Sequence, residues 1–131
     1  AFLKTAGEKF SGAMGLFREK IEPFFLLGEG RLNLGKITLQ VLLAPGHSPG
    51  SVCFYWPDRK ILFTGDVVFY GSVGRTDLPG GSLSRLQESI EKLAELDVEC
   101  LLPGHFTEYG AMIRGQETVR RNFQAIKMFF I

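Results

Sequence analysis

Both histidines of the chain follow the same Pro-Gly pair at the end of an apolar run: Leu42-Leu43-Ala44-Pro45-Gly46-His47 and Leu101-Leu102-Pro103-Gly104-His105. With 6 Pro and 16 Gly in the sequence, chance would produce this pairing roughly 3 times in 100,000, so coincidence is a poor explanation. A third segment, Leu62-Phe63-Thr64-Gly65-Asp66, repeats the syntax with a carboxylate in place of the imidazole. Imidazole and carboxylate are good ligands for zinc or iron, and a carboxylate can bridge two ions. A His after a turn is, taken singly, more often a hydrogen-bonded surface residue, and Gly-Asp is common where loops begin. Three strand-like runs that each deliver a ligand through one syntax point instead to a metal site assembled by the tertiary fold.

The elements that must position these residues can be read from hydrophobic period. Residues 30–34 and 37–43 alternate apolar and polar around Gly35-Lys36, as two strands of a hairpin do. Residues 51–56 and 60–64 flank the turn sequence Pro57-Asp58-Arg59 and predict a second hairpin, which ends at Gly65-Asp66. A Gly-rich loop over residues 71–77 precedes a helix capped by Ser82 or Ser84 and reaching about Leu96, with Leu83, Leu86, Ile90, Leu93 and Leu96 as its buried stripe. Residues 98–102 predict a short strand into Pro103-Gly104-His105, and residues 116–129 a closing helix built on Val119, Phe123, Ile126 and Phe130. An amphipathic helix is expected over residues 2–20, ended by Pro23.

The chain of 131 residues, 45% hydrophobic and 22% charged, predicts one domain over residues 1–131. Its 15 basic and 14 acidic residues are spread along the sequence, which argues against nucleic acid or an anionic membrane as partner. No apolar run approaches the roughly 20 residues of a membrane span, and the N-terminus lacks signal-peptide character. A soluble, cytoplasmic protein is expected, with Cys53 and Cys100 as small buried thiols rather than a disulfide. The start at Ala1 rather than Met adds the expectation of sequence upstream.

The segments Pro45-Gly46-His47-Ser48-Pro49-Gly50-Ser51, Phe63-Thr64-Gly65-Asp66 and Leu102-Pro103-Gly104-His105 resemble, in order and approximate spacing, the later metal-ligand motifs of the metallo-β-lactamase superfamily. The resemblance implies an α+β fold: half of an αββα sandwich, with a mostly antiparallel or mixed sheet and helices on one face. By motif match His47 would bind a first metal, Asp66 would bridge both and serve catalysis, and His105 would bind the second. The family's H-x-H-x-D-H signature, which supplies four further ligands, is absent, because no His precedes His47. The chain is therefore expected to be the C-terminal portion of such a domain, with two zinc or iron ions in the intact domain and partial or no occupancy in this chain.

Asp66 stands where the zinc β-lactamases nearest the antibiotic-resistance enzymes place a Cys, which disfavours drug hydrolysis. Gly74-Arg75-Thr76-Asp77 is similar to hydroxyacylglutathione hydrolases (glyoxalase II), where the residue matching Arg75 can contact the glutathione moiety. The competing reading of Arg75 is a local ion pair with Asp77. The implied activity is hydrolysis of a small-molecule thioester or ester, with a mono-iron persulfide dioxygenase and a non-catalytic module holding a vestigial site as alternatives. Half a sandwich exposes an apolar sheet face, so a homodimer, or association with a missing N-terminal half, is expected.

Overall fold

The computed structural model describes residues 27–130, and the helix expected over residues 2–20 lies outside them. Strands β1 (Gly30–Leu34) and β2 (Ile37–Leu43) form the first hairpin, with Leu32 opposite Leu39. Strands β3 (Val52–Trp56) and β4 (Ile61–Gly65) form the second, with Tyr55 opposite Leu62. A small hairpin, β5 (Val68–Phe69) and β6 (Ser72–Val73), follows, and then helix α1 (Leu83–Ala94). Strand β7 (Cys100–Pro103) pairs parallel to β4, β8 (Ile113–Arg114) closes the sheet edge, and helix α2 (Gln116–Lys127) ends in a short 3-10 turn over Met128–Phe130. The six-stranded sheet runs in the order β1-β2-β3-β4-β7-β8 and is antiparallel except at β4–β7.

Strand alternation sorts the side chains into two faces. Register places Leu42, Cys53, Tyr55, Leu62 and Leu101 on one face, where Cys53, Leu62 and Leu101 are fully buried. Both helices cover this face: Leu86, Ile90 and Leu93 of α1 and Val119, Phe123 and Ile126 of α2 join one core with it. Burying each such side chain stabilises the fold by about 1.5–3 kcal/mol before entropy is set against it. The result is the α+β arrangement expected from the sequence, a mixed sheet with helices on one face. The other face carries Val52, Phe54, Trp56, Ile61, Phe63 and Leu102, with Phe63 37% exposed and Leu43 42% exposed.

Several sequence expectations shift. Leu83 is 56% exposed rather than part of the buried stripe, because it is the first helical residue and precedes the turn that meets the sheet. Ser82 is the cap, its hydroxyl accepting from the Arg85 N–H at 3.5 Å. Pro57–Arg59 forms a 3-10 turn that leaves through Lys60 in the left-handed region, φ 52°. Ser72–Val73 of the Gly-rich loop form strand β6, and the helix over 116–129 stops at Lys127.

Cys53 and Cys100 are free, on opposite faces of the sheet; Cys53 is buried and Cys100 only half-buried. Burial pushes the Cys53 thiol from 9.0 up to about 12. Its folded-state pKa is raised, so its contribution to stability is full below pH 9.0 and is lost as pH rises towards about 12. The unfolding free-energy gap between the protein and Cys53→Ala, measured by urea titration, is expected to narrow above pH 9.0. The expected slope is at most about 1.4 kcal/mol per pH unit, and a gap that stays constant from neutral pH upward would contradict a thiol buried in its neutral form.

Candidate metal centre

Each of the three ligand loops is braced by its neighbours. After β2, the Ala44 N–H donates to the Ser51 carbonyl at 2.9 Å and closes the loop that carries His47. Helix α1 grips that loop twice: the Ser89 hydroxyl donates to the Pro45 carbonyl at 2.7 Å, and the Ser82 N–H donates to the Gly46 carbonyl at 2.8 Å. After β4 the chain turns through Gly65-Asp66, with the Val67 N–H donating to the Thr64 carbonyl at 3.0 Å. The buried Thr64 hydroxyl donates to the Val68 carbonyl at 2.7 Å, so side chain and main chain of one residue lock the turn that presents Asp66. After β7, the Gly104 N–H donates to the Gly65 carbonyl at 2.7 Å and sets His105 beside Asp66.

The three predicted ligands converge on the Asp66 carboxylate. His47 Nε2 lies 3.7 Å from one oxygen and His105 Nε2 lies 3.2 Å from the other. His47 Nδ1 is 2.9 Å from the Arg75 carbonyl, which can only accept, so Nδ1 carries the proton and the Nε2 lone pair is left for a ligand role. Two glycines are required by close approach. A Cβ at Gly104 would sit 2.6 Å from Asp66 Oδ1, and one at Gly74 would sit 1.9 Å from the Asp66 carbonyl oxygen and 3.0 Å from His47 Cβ.

The donor chemistry of these side chains, two imidazole nitrogens and one carboxylate, would suit zinc or iron. Among the described residues, no three His, Cys, Asp or Glu side chains surround a single point, so each position has only part of a coordination shell.

Arg75 is placed differently. Its guanidinium forms a bidentate pair with Asp77, Nε to Oδ1 at 2.7 Å and Nη2 to Oδ2 at 2.5 Å. The pair holds the Asp77 carboxyl at about 2. The local ion pair is thus formed, and the part of Arg75 that touches the site is its carbonyl on His47. Sequence reasoning missed Thr64, whose signal was a lone hydroxyl closing an apolar strand. It also missed Phe69, whose ring meets the His105 imidazole at 5.9 Å.

Residues 3–105 match the family model of the metallo-beta-lactamase superfamily. The chain belongs to that superfamily. It is 49% identical over 83 residues to a probable metallo-hydrolase, YqgX, of Bacillus subtilis, covering 62% of this chain and 39% of that protein. It is 44% identical over 98 residues to the human acyl-coenzyme A thioesterase MBLAC2, covering 71% and 35%. It is 41% identical over 76 residues to the hydroxyacylglutathione hydrolase GloC of Haemophilus influenzae, covering 56% and 36%. Among solved structures, a di-iron-bound form of TTHA1623 is 38% identical with a TM-score of 0.71, covering 92% of this chain and 58% of that one. The chain spans well under half the length of these curated relatives.

Overpacking a tight site costs about 1–3 kcal/mol. Gly74→Ala is therefore expected to lower the unfolding free energy by about that amount, because the new Cβ must displace the Asp66 backbone or His47. Equal urea midpoints for the two proteins would show that the Asp66–Gly74 contact is not tight.

Proposed function

We propose that His47, Asp66 and His105 hold part of a two-ion centre in a hydrolase that cleaves small-molecule thioesters or esters. The observation that carries this reading is the placement of two imidazole Nε2 atoms on the two oxygens of one carboxylate. Zinc or iron bound there would supply Lewis-acid polarisation of an acyl carbonyl and activation of water. The chain's own residues do the rest. Arg75 fixes the His47 tautomer through its carbonyl, Thr64 and Gly104 hold the Asp66 turn, and the Phe69 ring stands edge-on to His105. Support for an acyl-thiol substrate comes from relatives named as an acyl-coenzyme A thioesterase and a hydroxyacylglutathione hydrolase. Iron as the metal in place of zinc is supported by the di-iron form of a structural neighbour.

The reading has further parts. The Arg75 guanidinium leaves Asp77 to contact substrate when one binds. Two free cysteines suit a reducing cytoplasm, and no helix among the described residues is long and apolar enough to cross a membrane. The half-buried apolar face around Phe54, Trp56 and Phe63 supports association with a second copy; a monodisperse species of 14.6 kDa by light scattering would contradict this.

Because three ligands leave each ion under-coordinated, this chain by itself is expected to bind metal weakly and to turn over no thioester. In the whole protein, Asp66→Ala is expected to reduce both bound metal and rate by tenfold or more, whereas Arg75→Ala lowers rate with metal retained. Elemental analysis and thioester turnover of the two variants check this, and Asp66→Ala with full metal and full rate would reject the assignment.

A further inference from the structure

We propose that Asn122 is a positioning residue for the metal centre, acting on His105 through the β5–β6 hairpin. This rests on the reading of His47, Asp66 and His105 as metal ligands. Asn122 lies on α2 and is only 4% exposed, although the core around it gives no reason for a carboxamide. Both ends of the amide are used: Oδ1 accepts from the Gly71 N–H at 2.7 Å, and Nδ2 donates to the Phe69 carbonyl at 3.0 Å. An N–H can only donate and a carbonyl only accept, so the two partners also fix which way the amide points. Burying a carboxamide is offset only when such bonds are made, and here they grip the turn Phe69-Tyr70-Gly71 between the hairpin strands.

That turn meets the His105 loop at three places. The Phe69 ring stands edge-on to the His105 imidazole, 5.9 Å between centroids at 66°. The Tyr70 carbonyl accepts from the Thr107 hydroxyl at 2.8 Å. The Tyr70 and Tyr109 rings lie 5.8 Å apart. Thr107 and Gly110 exchange two backbone hydrogen bonds, both 3.0 Å, so the loop behind His105 is held as one piece.

His105 needs such support more than His47 does. The His105 side chain is 71% exposed against 24% for His47. His47 has the Arg75 carbonyl on its Nδ1, and His105 has no counterpart among the described residues. Beyond the Gly104–Gly65 hydrogen bond, its orientation towards Asp66 therefore depends on the Phe69 ring and the Thr107 tether, and both hang from Asn122 by way of the hairpin.

The test uses the metal-free full chain, with the imidazole nitrogen and proton resonances of His47 and His105 recorded first and Co(II) then titrated in. Asn122→Ala is expected to move the His105 resonances while leaving those of His47 in place, and to weaken Co(II) binding about tenfold or more. Thr107→Val, which removes the tether to the Tyr70 carbonyl while leaving the Phe69 ring and the Asn122 hydrogen bonds in place, is expected to give the same selective His105 shift. A folded Asn122→Ala protein with unchanged His105 resonances would overturn the proposal. If Asn122→Ala fails to fold, Thr107→Val decides in its place, and unchanged His105 resonances there overturn it equally. The selective His105 shift in the variants, with neither histidine of the full chain responding to Co(II), would overturn the metal reading instead.

Discussion

Strand direction is the constraint on which the candidate site depends. Strand β2 runs antiparallel to β3, and β3 antiparallel to β4, so β2 and β4 point the same way, and β7 joins β4 in parallel. All three strands therefore end at one edge of the sheet, and the residues just beyond their C-terminal ends are His47, Asp66 and His105. Chain returns through antiparallel hairpins alone would have sent successive strand ends to opposite edges. The parallel step requires a crossover, and α1 supplies it while also gripping the His47 loop through Ser82 and Ser89. Ligands gathering at the carboxyl ends of strands is a general consequence of such topology.

Within that frame, precision comes from contacts too close for a side chain. Gly104 admits the Asp66 carboxylate, and Gly74 admits the Asp66 backbone and His47. Backbone carbonyls hold two of the three positions: that of Arg75 meets His47, and that of Val68 accepts from the Thr64 hydroxyl that shapes the Asp66 turn. Backbone groups of this kind are fixed by the sheet and helices, so the placement of His47 and Asp66 is inherited from the fold itself.

Much of this was legible in sequence because period and turn chemistry are local. The alternation in residues 37–43 and 51–56 named both sheet faces, and Pro-Gly-His written twice named two of the residues that meet at the Asp66 carboxylate. What could not be read was long-range. Asn122 looks like an ordinary helical amide until the hairpin some fifty residues earlier in the chain is folded against it. Strand β8 is two residues long and has no period to detect; only pairing with β7 makes Ile113 part of the core. Leu83 fitted the helical stripe and is exposed because the sheet does not extend beneath the first turn of α1. The guanidinium of Arg75 met its local partner Asp77, while its carbonyl, which no side-chain pattern reveals, became the contact that matters to His47.

The central claim is that His47, Asp66 and His105 form one metal-responsive unit. Its most direct test is a zinc titration of the metal-free chain followed through the imidazole nitrogens. The expected result is that Nε2 of both histidines responds together, that Nδ1 of His47 stays protonated on the Arg75 carbonyl, and that Asp66→Asn weakens both responses. A titration in which only one histidine responds, or in which Asp66→Asn changes neither, would contradict a shared centre.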